Sequence, residues 1–277
     1  MILQRYYNVS DDAIEYAILD RLSFIRFLGL GLNDRVPDAK TIWLFRDNLT
    51  KLGLVEGLFK QLDNQLDKDG IIVHKGKIVD ASITQVPIQR NSRDENKQLR
   101  EGEIPGEWSE NKIKQKDVDA KWTRKNNTDY FGYKNHIKAD SKTKIITGYK
   151  VTTANVPDRH IVRELLNKRE DGGQPLYGDA AYNDKKLCEF YDTVGVINKT
   201  NVQGYKNRKL TQWERKQNRS KSKVRSRVEH IFGFMANSMR SKYLKYRSFV
   251  RNEAALGLIN LTYNLFRLVQ LNIGLSK

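Results

Sequence analysis

Gln174-Pro-Leu-Tyr-Gly-Asp179 is a short apolar run between Pro and Gly, closed by an acid, and it reads as a strand. Upstream, Asn155-Val-Pro-Asp158 opens a helix through Ile161, Leu165 and Leu166. Downstream, Asn183 to Tyr191 reads as a helix and Gly195-Val-Ile197 as another strand. Before these come two longer strands, Tyr130 to Ala139 and Lys144 to Thr152, joined by the hairpin turn Asp140-Ser-Lys-Thr. Earlier still, Ile71-Ile-Val73 and Lys77-Ile-Val79 are short, β-branched and flanked by Gly, so they too read as strands. A hairpin followed by helix, strand, helix, strand argues an α/β layer structure with parallel strands at its later end.

The flanks differ from this centre. Residues 1–70 read as a small helical domain. Ser10-Asp-Asp caps a helix carrying Ile14, Ala17, Ile18 and Leu22. A short helix runs from Ser23 to Leu30, and Val36-Pro-Asp38 opens the next, with Leu54 to Leu66 continuing the pattern. Residues 71–277 then form one unit. Within it, residues 89–127 are polar and basic, an excursion expected to be flexible without a ligand. Trp108 and Trp122 in that excursion either stack on bases or pin the loop. Residues 199–227 are strongly basic, with a capping box at Thr211-Gln-Trp-Glu214. A helix over Lys221–Met235 places Val224, Val228, Ile231 and Met235 on one stripe. A last helix buries Leu258, Leu261, Leu265 and Leu268.

Composition narrows the function. Of 277 residues 39% are hydrophobic, so the chain folds, and 50 Lys and Arg against 33 Asp and Glu leave a formal charge of +17. Such an excess calls for a polyanionic partner, of which nucleic acid is the commonest. Cys188 is the sole cysteine, which excludes an intrachain disulfide and a cysteine zinc cluster and suits a reducing cytosol. The most apolar segment, residues 254–272, carries Asn260, Asn264, Arg267 and Gln270 and is too polar to span a bilayer. A soluble cytoplasmic protein is expected.

Three acids fall where chemistry would use them. Asp80 follows Lys77-Ile-Val79, Asp179 follows Leu176-Tyr-Gly178, and Glu229 lies among cations on the late helix. In open α/β sheets ligands gather beyond the carboxyl ends of strands. Each acid alone is as well explained structurally: Asp80 and Asp179 as caps, Glu229 as the i,i+4 partner of Arg225. Together, in a cationic chain without thiolate ligands, they favour a hard cation, Mg²⁺ or Mn²⁺. A pair of ions would drive in-line phosphodiester displacement. On this reading Arg225 points at DNA phosphate and away from the carboxylate. Lys134 and His136 share one face of the strand Tyr133-Lys-Asn-His-Ile137, and a place beside the scissile phosphate competes there with a purely structural one. No glycine-rich phosphate loop or nucleophile elbow is present.

Five blocks carry a family resemblance: Val79-Asp80-Ala-Ser82, Phe131-Gly-Tyr-Lys-Asn-His136, Val151-Thr-Thr-Ala-Asn-Val-Pro-Asp158, Tyr177-Gly-Asp-Ala-Ala-Tyr182 and Arg225-Ser-Arg-Val-Glu-His-Ile-Phe232. In this order they resemble the DDE transposases of bacterial insertion sequences, within them the IS-five group of the IS-four superfamily. Asp20-Arg-Leu-Ser-Phe-Ile-Arg-Phe-Leu-Gly-Leu30 and Thr41-Ile-Trp-Leu-Phe-Arg46 resemble the helical domain of that group.

The resemblance implies an RNase H-like mixed sheet flanked by helices. It further implies two Mg²⁺ or Mn²⁺ ions on Asp80, Asp179 and Glu229, cutting of element ends, and joining of their 3′-hydroxyls to target DNA. Double-stranded DNA is the implied partner, as terminal inverted repeats and as target, with a homodimer in the synaptic complex. Arg225, Arg227, Arg240, Lys134 and His136 are the candidate DNA contacts. Two positions depart from the superfamily: its Tyr ahead of the Arg falls at Ser222, and its Lys after the Glu falls at Ala236. Met1-Ile-Leu-Gln-Arg resembles the family's interior, so a shortened copy is expected. A catalytically impaired DNA-binding relic and an RNase H-like structure-specific nuclease are the alternative readings.

Overall fold

A computed structural model describes residues 1–275; the last two residues of the expected second domain lie outside the described residues. The centre is a six-stranded mixed sheet with the order β2-β3-β1-β5-β6, β4 pairing β3 beside β2. β1 (Lys77–Gln85) lies between β3 (Thr128–Asp140), antiparallel to it, and β5 (Pro175–Tyr177), parallel to it. β6 (Ile197–Asn198) continues the parallel edge. β2 (Lys121–Lys125) and β4 (Ile146–Thr153) pair successive stretches of β3. The parallel strands are therefore where the residue order placed them.

Alternation along β1 divides the core into two layers, because successive side chains point to opposite faces. Ile78 packs with Ile137, Val228, Ile231, Met235 and Ile259; Val79 packs with Val162, Leu176, Leu187 and Tyr191. The second layer is covered by α8 (Asp158–Leu165) and α10 (Lys185–Val194). The first is covered by α12 (Arg227–Gly233) and the long α13 (Phe249–Leu275). The polar residues of α13 bond to the sheet. Asn260 and Asn135 exchange amide hydrogen bonds of 2.8 and 3.1 Å, and Asn264 both accepts from and donates to the Ile146 backbone. Among the described residues no helix is long and apolar enough to cross a membrane.

The amino-terminal helices are α1 (Ile2–Tyr7), α2 (Asp11–Asp20), α3 (Leu22–Phe27), α4 (Ala39–Lys51) and α5 (Leu54–Lys68). Ser10 and Asp38 cap α2 and α4, accepting the amides of Ala13 and Thr41. Ile14, Ile18 and Phe24 form a small cluster of their own. α1 and α5 instead join the last helix: Tyr6 stacks on Phe266 at 3.9 Å, and Val55 packs on Ala254 and Leu258.

Several expectations are corrected. Ile71–Val73 is not a strand; Ile72 plugs a cluster with Leu66 and Ile145, and this burial accounts for the apolar run. β1 does not stop at Val79 but runs to Gln85, so Asp80 is mid-strand. β3 pairs the polar continuation Ala81–Gln85 residue for residue, and the Lys242 and Leu244 backbone bonds Gln85 at its end, which holds it in extended form. Residues 89–127 contain α6 (Arg93–Glu101), α7 (Glu110–Gln115) and β2. Caps substitute for hydrophobicity there: Ser92 and Glu95 form a capping box, and Ser109 caps α7. Trp108 is 5% exposed and donates its indole N–H to Glu95 at 2.6 Å, so it pins the insert. The late helix is broken. α11 (Gln212–Arg225) ends at Ser226, whose hydroxyl bonds back to the Lys223 carbonyl, and Phe234–Ser238 is a π-helical turn. The helix expected from Asn183 begins at Lys185, capped by Asp184.

At Gly132, paired with Gln85, the β3 backbone closely approaches β1. The φ of Gly132 is +154°, and a Cβ there would drive into the Thr84 carbonyl oxygen. Gly132→Ala is expected to cost about 3 kcal/mol, since it adds backbone strain to a clash no rotamer relieves. A urea midpoint equal to that of the parent would contradict this close approach.

Candidate active site

The site is built from β1, the turn after β5 and the junction of α11 with α12. Asp80 is opposite Ile137 in the β1–β3 register, so it faces the α12 side of the sheet. Its side chain is 16% exposed, and Oδ1 accepts the Ala81 amide at 2.8 Å. Asp179 follows β5 through Gly178, where an added Cβ would crowd the Tyr182 ring. Its Oδ1 accepts the Ala181 amide at 2.8 Å, capping the 3₁₀ turn Ala180–Tyr182, and this fixes the carboxylate. Glu229 lies in the first turn of α12 with its side chain 64% exposed.

Arg225 joins two of these acids. Its Nη1 is 3.2 Å from Asp80 Oδ2 and its Nη2 is 3.3 Å from Glu229 Oε1. The expectation that Arg225 points away from the carboxylates is thus corrected. With a buried carboxylate on one side and its i,i+4 partner on the other, the guanidinium fork has its most favourable position between them. Burial raises the Asp80 pKa to about 6. The Ala81 amide and the charge on Arg225 oppose that rise, the charge on Asp179 adds to it, and that on Lys125 opposes it.

The donor set fits a hard divalent cation by its chemistry. It consists of carboxylate oxygens, one of them in a buried position where its negative charge is costly and a cation would relieve it. Among the described residues no three acidic, histidine or cysteine side chains stand close enough together to hold an ion. Asp80 and Asp179 are held by backbone amides, and Glu229 is held on Arg225.

Other expected contacts land elsewhere. His136 is opposite Ala81, hence on the face away from Asp80. It is 0% exposed and its Nε2 bonds Thr152 Oγ1 at 2.8 Å, which removes it from any DNA contact. Lys134, on the same face, is spent on Asp158 at 2.8 Å and the Val156 carbonyl at 2.7 Å. Arg227 donates to the Ser141 carbonyl and secures α12 to the hairpin turn. Arg240 is exposed, with left-handed backbone, and its carbonyl accepts the Asn8 amide at 2.9 Å. Of the five, Arg240 keeps a side chain open to a phosphate.

Burial lowers the His136 pKa to about 4. Its folded value lies below the ordinary 6.5, so neutral imidazole is the form that favours folding. That contribution is complete above about pH 6.5 and is lost as pH falls through about 4. Ring-nitrogen NMR shifts of His136 should stay those of neutral imidazole at pH 5.5; a protonated ring there would contradict the buried placement.

Two residues near the carboxylates were not singled out from the sequence. Tyr182 is 2% exposed, and burial, reinforced by the charges of Asp80, Asp158 and Asp179, keeps its phenol protonated. Its place three residues after Asp179 was the available signal. Lys125, at the end of β2, acts on Asp80 only because the β2–β3 hairpin brings it there, and no local pattern marks it.

The positions left by the superfamily departures are also defined. Ser222 accepts the Asn201 side-chain amide at 3.0 Å. Ala236 lines a cleft of about 270 Å³ together with Ser82, Thr84, Asn135 and Lys242.

Two family models match the chain. The Transposase DDE domain family matches residues 73–265, from just before β1 into α13 and including all three acids. A second model, Transposase domain (DUF772), matches residues 1–48, from α1 into α4. No solved structure matches the chain. With a match over most of its length, from Asp80 through Asp179 to Glu229, the chain belongs to the DDE-domain transposase family.

Proposed function

We propose that this protein cuts the ends of an insertion sequence and joins their 3′-hydroxyls to target DNA, using Asp80, Asp179 and Glu229 as metal ligands in an RNase H-like domain. The observation that carries the reading is Asp80, a carboxylate buried at the centre of the sheet, beside Asp179 and tied through Arg225 to Glu229. A structural ion pair would be served by one acid. Two divalent ions, Mg²⁺ or Mn²⁺, would supply activation of a water or 3′-hydroxyl and stabilisation of the leaving oxygen.

The remaining work belongs to the chain. Ala81 and Ala181 amides hold two ligands in place, so little reorganisation precedes the reaction. Arg225, 24% exposed, moves from Glu229 toward the scissile phosphate as Glu229 turns inward. The basic α11 and the exposed Arg240 hold duplex DNA, terminal repeat or target, through its backbone. Residues 1–70 form the helical end-binding domain and residues 71–277 the catalytic domain. The residue blocks point to the IS-five group, and pairing of two ends calls for a homodimer.

The test is strand cleavage of linear DNA carrying the sequences that flank this reading frame, in Mg²⁺ or Mn²⁺. Asp179→Ala and Glu229→Ala should each lower nicking and joining by about a thousandfold or more, while DNA binding persists. Full cleavage by either variant sinks the assignment. The relic reading has one observation in its favour, the outward-facing Glu229 held on Arg225; wild-type protein that binds those ends yet neither nicks nor joins them would establish it.

A further inference from the structure

The insert between β1 and β2 carries surface chemistry that the carboxylate site does not use. On α6, Arg93, Lys97 and Arg100 follow an i, i+4, i+7 spacing along one helix face, and all three are exposed. None of the three is in an ion pair among the described residues. Successive cations are about 6 and 4.5 Å apart along the helix axis, within reach of neighbouring phosphates of one strand.

Between α6 and the β2–β3 hairpin is a groove of about 290 Å³, lined by Trp122, Phe131, Leu99, Arg100, Asn91 and Asn96. Trp122 leans on Phe131, ring centres 5.2 Å apart, and remains 50% exposed. The groove is braced: Lys121 donates to the Leu99 carbonyl at 2.7 Å, and Lys116 donates to the Arg90 carbonyl and to Asn91. The two tryptophans of the insert thus differ in kind, Trp108 buried and hydrogen-bonded, Trp122 open.

We propose that this groove takes an unpaired nucleobase of DNA, stacked on Trp122, while Arg93, Lys97 and Arg100 hold the adjoining phosphates. The inference rests on the DNA-processing function above. A paired base has both faces covered and cannot enter, whereas an unstacked base presents a face to the indole and polar edges to Asn91 and Asn96.

The test uses the full chain and two probes, a blunt duplex and the same duplex with a short single-stranded tail containing 2-aminopurine. Wild-type protein should bind the tailed probe more tightly and quench its fluorescence. Trp122→Ala should lose the tail preference by roughly tenfold and lose the quenching, with blunt-duplex affinity kept; Trp122→Phe should retain most of both. Replacing Arg93, Lys97 and Arg100 with Ala should weaken both probes and flatten the salt dependence. An unchanged tail preference in Trp122→Ala, or an equal loss on both probes, overturns the stacking site alone. A wild-type protein without affinity for either probe overturns this site together with the DNA-processing function.

Discussion

Asp80→Asn should abolish metal-dependent strand cleavage, by about a thousandfold or more, and leave the protein no less stable than the parent at neutral pH. The two halves have one cause. Asp80 sits where burial penalises its charge, and its pKa is raised from 3.8 to about 6. An acid whose folded value lies above its unfolded one destabilises the fold in its charged form. The penalty is absent below about pH 4, grows through the interval to about pH 6, and is complete above it.

A displacement of roughly two pH units, at about 1.4 kcal/mol each, bounds the penalty near 3 kcal/mol. Asn keeps the shape and removes the charge, at the expense of the Arg225 contact. Urea midpoints of parent and variant should therefore diverge, the variant the more stable, as pH rises from 4 to 6 in chelator. A variant that is destabilised at neutral pH would show Asp80 to be a structural ion-pair partner. Divalent cation should narrow the gap by stabilising the parent alone.

Asp171→Ala carries the largest expected loss of stability, about 3–5 kcal/mol. Lys138 Nζ lies 2.9 Å from Asp171 Oδ2 and 3.1 Å from Glu170, with side-chain exposures of 2% for Lys138 and 0% for Asp171. Asp171 also accepts the Asn167 amide at 2.9 Å. Lys77, equally buried, is pushed below the ordinary lysine range by burial and by Lys138, with Asp171 among the acids that oppose the fall. Removing Asp171 leaves two ammonium groups crowded in the core.

A Lys138→Met, Asp171→Leu pair should recover most of the loss, because a buried ion pair and a packed apolar pair are of similar worth. Chemical denaturation of the single and double variants decides it; additive losses would contradict direct coupling. The consequence reaches the site, since Lys77 is three residues before Asp80 on β1 and any slip there moves the ligand. Reduced cleavage by Asp171→Ala, restored in the double variant, is the functional counterpart.

The legible parts were those governed by short-range rules. Ser10, Asp38 and Thr211 announced helix starts, the Asp140–Thr143 turn announced a hairpin, and the order of elements after it announced parallel strands. Acids next to short apolar runs marked Asp80 and Asp179. What failed depended on partners far away in sequence. Asp80 is mid-strand because β3 pairs the polar residues that follow it, which Ala81–Gln85 alone cannot show. Residue type alone leaves His136 and Lys134 open between the phosphate and a structural role, and one step of register puts them on the opposite face from Asp80. Arg225 reaches Asp80 across 145 residues of chain. The insert's helices rest on caps and on Glu95, which bonds both Trp108 and Lys112, whereas its polar composition suggested a loop.

Iron-directed backbone cleavage tests the central claim most directly. With Fe²⁺ replacing Mg²⁺ and ascorbate and peroxide added, radicals formed at the bound ion should cut the chain near Asp80, Asp179 and Glu229, three places distant in sequence. All three cuts should be suppressed by excess Mg²⁺ and absent in Asp80→Asn. Cuts elsewhere, or the same cuts in Asp80→Asn, would contradict a metal site on these carboxylates.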